Sequence, residues 1–222
     1  MDETVRLVEA TGRRILARAA DVRDQGEMNL AVAAGREAFG SVDIVCANAA
    51  IPSFGRTWEI DEAAWQDVID VNLTGSWHTV KAAVPAMIEG GRGGSIVFVN
   101  SVNGLKSGAG IGHYAASKHA VVGLMRTLAV ELGPYGIRVN SVHPTMVTTP
   151  MAVNPASLAR YFPDQPDAGV DELAERMRGR HALPVPWVEA VDIANAALWL
   201  SSDEARYVTG VALPVDAGML VR

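Results

Sequence analysis

Short apolar runs alternate with longer amphipathic stretches along this chain, the pattern of strand–helix–strand units stacked into a parallel sheet. Residues 2–11 read as a helix end stopped at Gly12, and Ile15–Val22 as a strand. A helix is predicted from Asp24 to Phe39, closed by Gly40, where glycine tolerates the left-handed cap. Asp43–Ala47 is predicted as a buried strand running into Asn48-Ala49-Ala50, followed by a helix over 61–89 bent near Gly75 or Pro85. Ser95–Asn100 and Ile137–Val142 read as two further buried strands. Between them lie a small-residue loop at 101–112 and a helix from Tyr114 to Leu132, whose apolar stripe at 121, 122, 125, 128, 129 and 132 has helical period. Residues 150–187 carry six prolines around helical patches, the pattern of a lid or binding loop. A helix at Ala190–Leu200 and a strand at Val211–Val215 complete one α/β domain built on a parallel sheet.

Composition narrows the function classes. The chain has 222 residues, 49% hydrophobic and 20% charged, enough for one domain with a sizeable core. Its net charge of −6, with no basic run, argues against nucleic acid as a partner. No apolar run is long enough to cross a membrane, and the acidic start lacks the features of a secretory signal. Cys46 is the only cysteine, which fits a reducing cytoplasm, and it reads as an inert buried thiol in its strand. None of the five histidines pairs with cysteine or carboxylate at a zinc-binding spacing, so no metal site is expected. The tryptophans read as core or subunit contacts, with Trp187 close enough to the lid to meet a ligand.

The strongest chemical signal is Tyr114-Ala-Ala-Ser-Lys118. Residues one helical turn apart share a face, and a neighbouring ammonium would lower the phenol pKa and make it a general acid or base near neutrality. Taken alone, the same spacing also suits a surface helix. Ser101 follows a buried strand, where a hydroxyl can face the crevice and bond a substrate oxygen, or cap a turn. Asn72, inside the long helix, could hold a water or serve as a buried structural amide. Asn48 ends a strand where it could border a cofactor, and Asp21 could accept from an adenine amino group or cap the helix that follows.

In order and spacing, Asp21-Val22, Asn48-Ala-Ala50, Asn72, Ser101, Tyr114-x-x-x-Lys118 and Asn140-Ser-Val-His-Pro144 resemble the short-chain dehydrogenase/reductase family over essentially the whole chain. Within that family, the lid from Met151 to Asp164 and the end from Tyr207 to Gly218 look like the carveol-dehydrogenase-like, mycofactocin-coupled group. The resemblance implies a Rossmann-like doubly wound parallel sheet, here lacking the first strand and glycine-rich turn, and hydride transfer between a nicotinamide cofactor, NAD rather than NADP, and a secondary alcohol or ketone, terpenoids included. It implies Tyr114 as acid/base, Lys118 as the group that lowers its pKa and holds the nicotinamide ribose, Ser101 as orienter of the substrate oxygen and Asn72 as orderer of a relay water. Asp21 and Val22 would contact adenine, Asn48-Ala49 the cofactor's ribose region, and Val147 and Thr149 the nicotinamide carboxamide. A homotetramer built through helices 61–89 and 114–132 is likewise implied.

Ala50 and Thr145 replace glycines usual in the family. The larger departure is the absence, before residue 21, of the glycine turn that lets the backbone approach a pyrophosphate. The sequence therefore reads as an N-terminally truncated member, with an exposed apolar sheet edge or a displaced strand 15–22 as the expected consequence. A catalytically silent, dehydrogenase-like binding or assembly subunit is the alternative function. A sugar epimerase using the same tyrosine and lysine fits less well, because no sugar-nucleotide domain follows.

Overall fold

The computed structural model describes residues 1–222. Its frame is a sheet of four parallel strands in chain order: β1 (Ile44–Ala47), β2 (Gly94–Val99), β3 (Ile137–Pro144) and β4 (Ala212–Val215). The two central strands are buried along most of their length because both of their faces are covered. Ile96 and Phe98 of β2 face α4 (Gly75–Gly90) and α5 (Gly112–Leu132), meeting Val80, Met87, Val121 and Met125. Val97 and Val142 face the opposite side, where Ile193 and Leu200 of α8 (Ala190–Ser201) cover them. That division of helices between the two faces is the doubly wound arrangement.

Local chemistry explains several boundaries. The carboxylate of Asp24 accepts from Gly26 N (2.7 Å) and Glu27 N (3.0 Å), capping the helix Gln25–Phe39 (α2), and Gly40 closes it at φ 88°. Asp24 is thus the cap rather than Asp21, whose carboxylate accepts instead from Arg23 N (2.9 Å) and pairs with the Arg23 guanidinium (2.7 Å). Asp2–Glu9 (α1) precedes this region. The long helix expected over 61–89 is α3 (Glu62–Ile69) and α4, joined by a π turn at Asp70–Thr74 immediately before Gly75. In the lid are two short helices, α6 (Pro155–Tyr161) and α7 (Val170–Arg178). Leu173 and Met177 of α7 pack on Val102 and Met219.

The predicted strand Ile15–Val22 does not form. Its residues run without a ladder: Arg14 bonds Ala38 O and stacks on Phe39, and Val22 lies against Gly75 of α4. A strand exists through its hydrogen-bonded neighbour, and this segment has none. The free side of β1 is accordingly open, with Ile44 56% exposed. Cys46 is exposed on that same strand, not buried as its apolar surroundings suggested. The tryptophans are not core either: Trp58, Trp65, Trp77 and Trp199 all lie at the surface.

Candidate active site

All four strands end at one rim of the sheet, and the register Ala47–Phe98–Ser141 keeps those ends level. Open parallel sheets hold their ligands outside the carboxyl ends of the strands. A cleft of about 650 Å³ opens there, between the strand ends, the start of α5 and the lid. Asn48, Asn100, Ser101, Tyr114, Lys118, Val147 and Thr149 all line it.

Ser101 leaves β2 in an extended conformation, and its Oγ accepts from Asn103 N (3.1 Å) and Asn103 Nδ2 (3.3 Å). It therefore does cap the turn at Val102–Gly104. With both of its acceptances taken, the hydroxyl still has its proton to donate, and it stands on the Tyr114 side of the cleft, where it favours the phenolate. Burial pushes the Tyr114 phenol above its usual pKa, while the Ser101 hydroxyl and the charge of Arg160 pull against that rise.

Lys118 stands beside Tyr114, as the spacing suggested. Its Nζ lies 5.7 Å from the centre of the tyrosine ring and donates to Val99 O at 3.3 Å. The lysine is only 4% exposed, and burial lowers its own pKa to about 8. Spacing along a helix brings the two side chains to one face, but burial of both then disfavours both charged forms. A second cation, Arg160 of the lid, also favours the phenolate, though less than burial opposes it.

Asn72 is a buried structural amide, one of the two places the sequence allowed it. Its Oδ1 accepts from Ile51 N (2.8 Å), and its Nδ2 donates to Ile51 O (3.1 Å) and to Ser117 Oγ (3.2 Å). Both amide protons are thus taken by protein partners, and the side chain does not line the cleft. It ties the loop after β1 to α5, because Ser117 Oγ in turn donates to Tyr114 O at 2.7 Å. Asp21, Val22 and Ala49 likewise stand outside the cleft lining, as do His113, which is buried beside Trp65, and Trp187.

Two supporting residues escaped the sequence reading. Nδ1 of the buried His143, at the end of β3, lies 2.6 Å from Ser101 O, and its Nε2 lies 2.8 Å from Ser141 Oγ. A carbonyl can only accept, so Nδ1 carries the proton, and burial keeps the imidazole neutral. His143 thus fixes the backbone that presents the Ser101 hydroxyl. Asn100 donates from Nδ2 to Lys118 O (3.0 Å), while its buried Oδ1 has no partner. Only tertiary placement joins these residues, although both stand at strand ends, where the sequence could have flagged them.

Close backbone approach holds the site together at Gly104. A Cβ there would fall 2.8 Å from Lys118 O and 2.9 Å from Asn100 Oδ1. Gly104→Ala is expected to cost about 1–3 kcal/mol, because α5 must move away at Lys118. An unchanged urea midpoint for this variant would refute that tight contact.

These features have close counterparts. A family profile described as enoyl-(acyl carrier protein) reductase matches residues 1–220. A short-chain type dehydrogenase/reductase of Mycolicibacterium smegmatis is 53% identical over 221 residues, 99% of this chain and 79% of that protein. The chain belongs to the short-chain dehydrogenase/reductase family. As a member of that family it is an oxidoreductase. This short-chain dehydrogenase is also similar to a (-)-trans-carveol dehydrogenase of Rhodococcus erythropolis, with 47% identity over 223 residues, 100% of this chain and 80% of the relative. Its fold matches the crystal structure of a carveol dehydrogenase from Mycobacterium avium in complex with NAD. The TM-score is 0.98 at 51% identity, covering 100% of this chain and 80% of the other.

The cleft residues fit the nicotinamide-ribose half of such a cofactor. Lys118 is a buried ammonium with a single long hydrogen bond, and Asn100 offers a buried acceptor beside it, a donor and an acceptor suited to sugar hydroxyls. No glycine turn faces the cleft for the pyrophosphate, and Asp21 and Val22 lie outside it.

Proposed function

We propose that this chain interconverts a cyclic secondary alcohol and its ketone with NAD, using Tyr114 as the acid/base. The observation that carries the reading is the convergence of Tyr114, Ser101 and Lys118 on one cleft, with the lysine ammonium 5.7 Å from the tyrosine ring. When bound, NAD accepts the carbinol hydride. Asn48, Val147, Thr149 and Lys118 hold its nicotinamide end. Ser101 orients the substrate oxygen, and Tyr114 takes the hydroxyl proton in oxidation or supplies one to the carbonyl in reduction. His143 and Asn72 act as positioning residues for Ser101 and α5. The apolar lining from Phe54, Ile111 and Met151, and the likeness to enzymes named for carveol, support a terpenoid-sized ring as substrate. Relatives named as NAD-dependent oxidoreductases support NAD as the carrier, and nothing favours a silent assembly subunit. Exposed Trp65 on α3, Trp77 on α4 and Val130 on α5 leave those helices free for the tetramer contact.

The test is the pH dependence of kcat in both directions, followed by NADH absorbance. A phenol held above its usual pKa is protonated at neutral pH. Ketone reduction should therefore be flat through neutrality and fall only in strong alkali, whereas alcohol oxidation should climb steadily as the phenolate forms. An oxidation rate that is already level below neutral pH would contradict this assignment.

A further inference from the structure

The cleft is one-sided in charge. Lys106, Lys118, Arg160 and Arg180 line it and no aspartate or glutamate does, although the protein as a whole carries a net charge of −6. Arg160, Arg180 and Lys106 make no ion pair anywhere in the molecule, whereas six other arginines do. Lys106 is tied to Met219 O (2.8 Å) and Arg180 lies over one ring, Tyr161, at 6.0 Å, whereas Arg160 is held between two aromatic faces. Its guanidinium stacks 5.1 Å from the centre of the Phe54 ring and 5.0 Å from that of Tyr161. Its hydrogen bonds, to Tyr161 Oη and Ala109 O, are both long at 3.4 Å. A half-buried guanidinium fixed by aromatic faces keeps its N–H edge for a planar anion, the geometry that suits a two-point grip on a carboxylate. Its supports come from the loop after β1, the loop before α5 and the lid, not from Val147 and Thr149 on the nicotinamide side.

We propose that the physiological substrate is a cyclic secondary alcohol or ketone bearing a carboxylate, which Arg160 grips while Ser101 and Tyr114 hold the reacting oxygen. The inference rests on the dehydrogenase reading of the same cleft and narrows its substrate class. The apolar walls take the ring, and the unpaired cation at the lid takes the charge. Lys106 and Arg180 contribute a longer-range field, so binding of the acid should weaken with ionic strength.

The test is calorimetric titration of the full chain with 4-oxocyclohexanecarboxylate and with its methyl ester, which differ in charge and little in shape. The acid should bind roughly tenfold more tightly. Salt should shrink the difference, and Arg160→Met should remove it. Arg160→Lys, which keeps the charge but not the fork, should restore part of it, and thermal melting reports whether each variant is folded. Equal binding of acid and ester by the wild type would overturn the proposal. So would a loss in Arg160→Met of NAD affinity as large as the loss of acid affinity, since the cation would then serve the cofactor's phosphates. The two readings fail separately. Hydride transfer from a neutral cyclohexanol without any preference for the acid sinks only the carboxylate, whereas selective acid binding with no NADH formed from any alcohol sinks only the dehydrogenase.

Discussion

Tyr114→Phe is expected to lower kcat for alcohol oxidation by roughly 10²–10⁴-fold while leaving the protein folded. The hydroxyl is the only atom removed. The ring stays packed at the start of α5, and Ser117 still donates to the backbone carbonyl of residue 114. Stability should change by about 1 kcal/mol at most, the net value of one hydrogen bond. What disappears is the one group in the cleft placed to exchange a proton with an oxygen that Ser101 also holds. Because that exchange belongs to the transition state more than to the bound substrate, KM should move much less than kcat. Steady-state NADH formation measures both, and a loss smaller than tenfold would mean that another group carries the proton.

Lys118→Met should have two effects of opposite sign, making the protein more stable and nearly inactive. The lysine is buried, and its pKa falls from 10.5 to about 8. A lowered lysine pKa means that the folded state resists the charge. Folding therefore carries a constant penalty below pH 8, which shrinks as pH rises from 8 to 10.5, where the unfolded chain also loses its proton. The shift corresponds to about 3 kcal/mol, and the fit of methionine to the same apolar channel should recover most of it. In urea unfolding, the wild type should gain stability across that alkaline window and the variant should not. Activity should fall because the buried ammonium proposed to hold the nicotinamide end of NAD is gone. Such exchange of stability for function is common where a site stores an unfavourable charge. A variant that is less stable at pH 7 would contradict the assignment.

The parts of the fold that were legible in sequence are those with strong local signals. β2 announces itself by the apolar run Ile96–Val99, and β3 by apolar residues at 137, 139 and 142. α5 shows a full helical stripe, and α2 has a capping aspartate at one end and a glycine at the other. Ile15–Val22 has a strand's composition, yet a ladder needs a neighbour, and composition carries no information about one. Cys46 failed for the related reason that an apolar strand is buried only when something covers it. At the site, the spacing of Tyr114 and Lys118 and the strand-end position of Ser101 place these residues at one cleft. Spacing reports proximity and not burial, so the direction in which burial moves both pKa values was not legible. The strand-end position of His143 was legible, but its contact with the Ser101 carbonyl and the stacking of Arg160 on Phe54 are tertiary and show in no local pattern.

The central claim is that this chain moves a hydride from a carbinol carbon with Tyr114 taking the proton. Incubating it with NAD and a cyclic secondary alcohol deuterated at the carbinol carbon, and then examining the nicotinamide by proton NMR, tests that claim most directly. Deuterium should appear at the C4 position of the NADH formed by the wild type, with almost none formed by Tyr114→Phe over the same period. NADH free of deuterium, or equal labelled product from both proteins, would contradict the account.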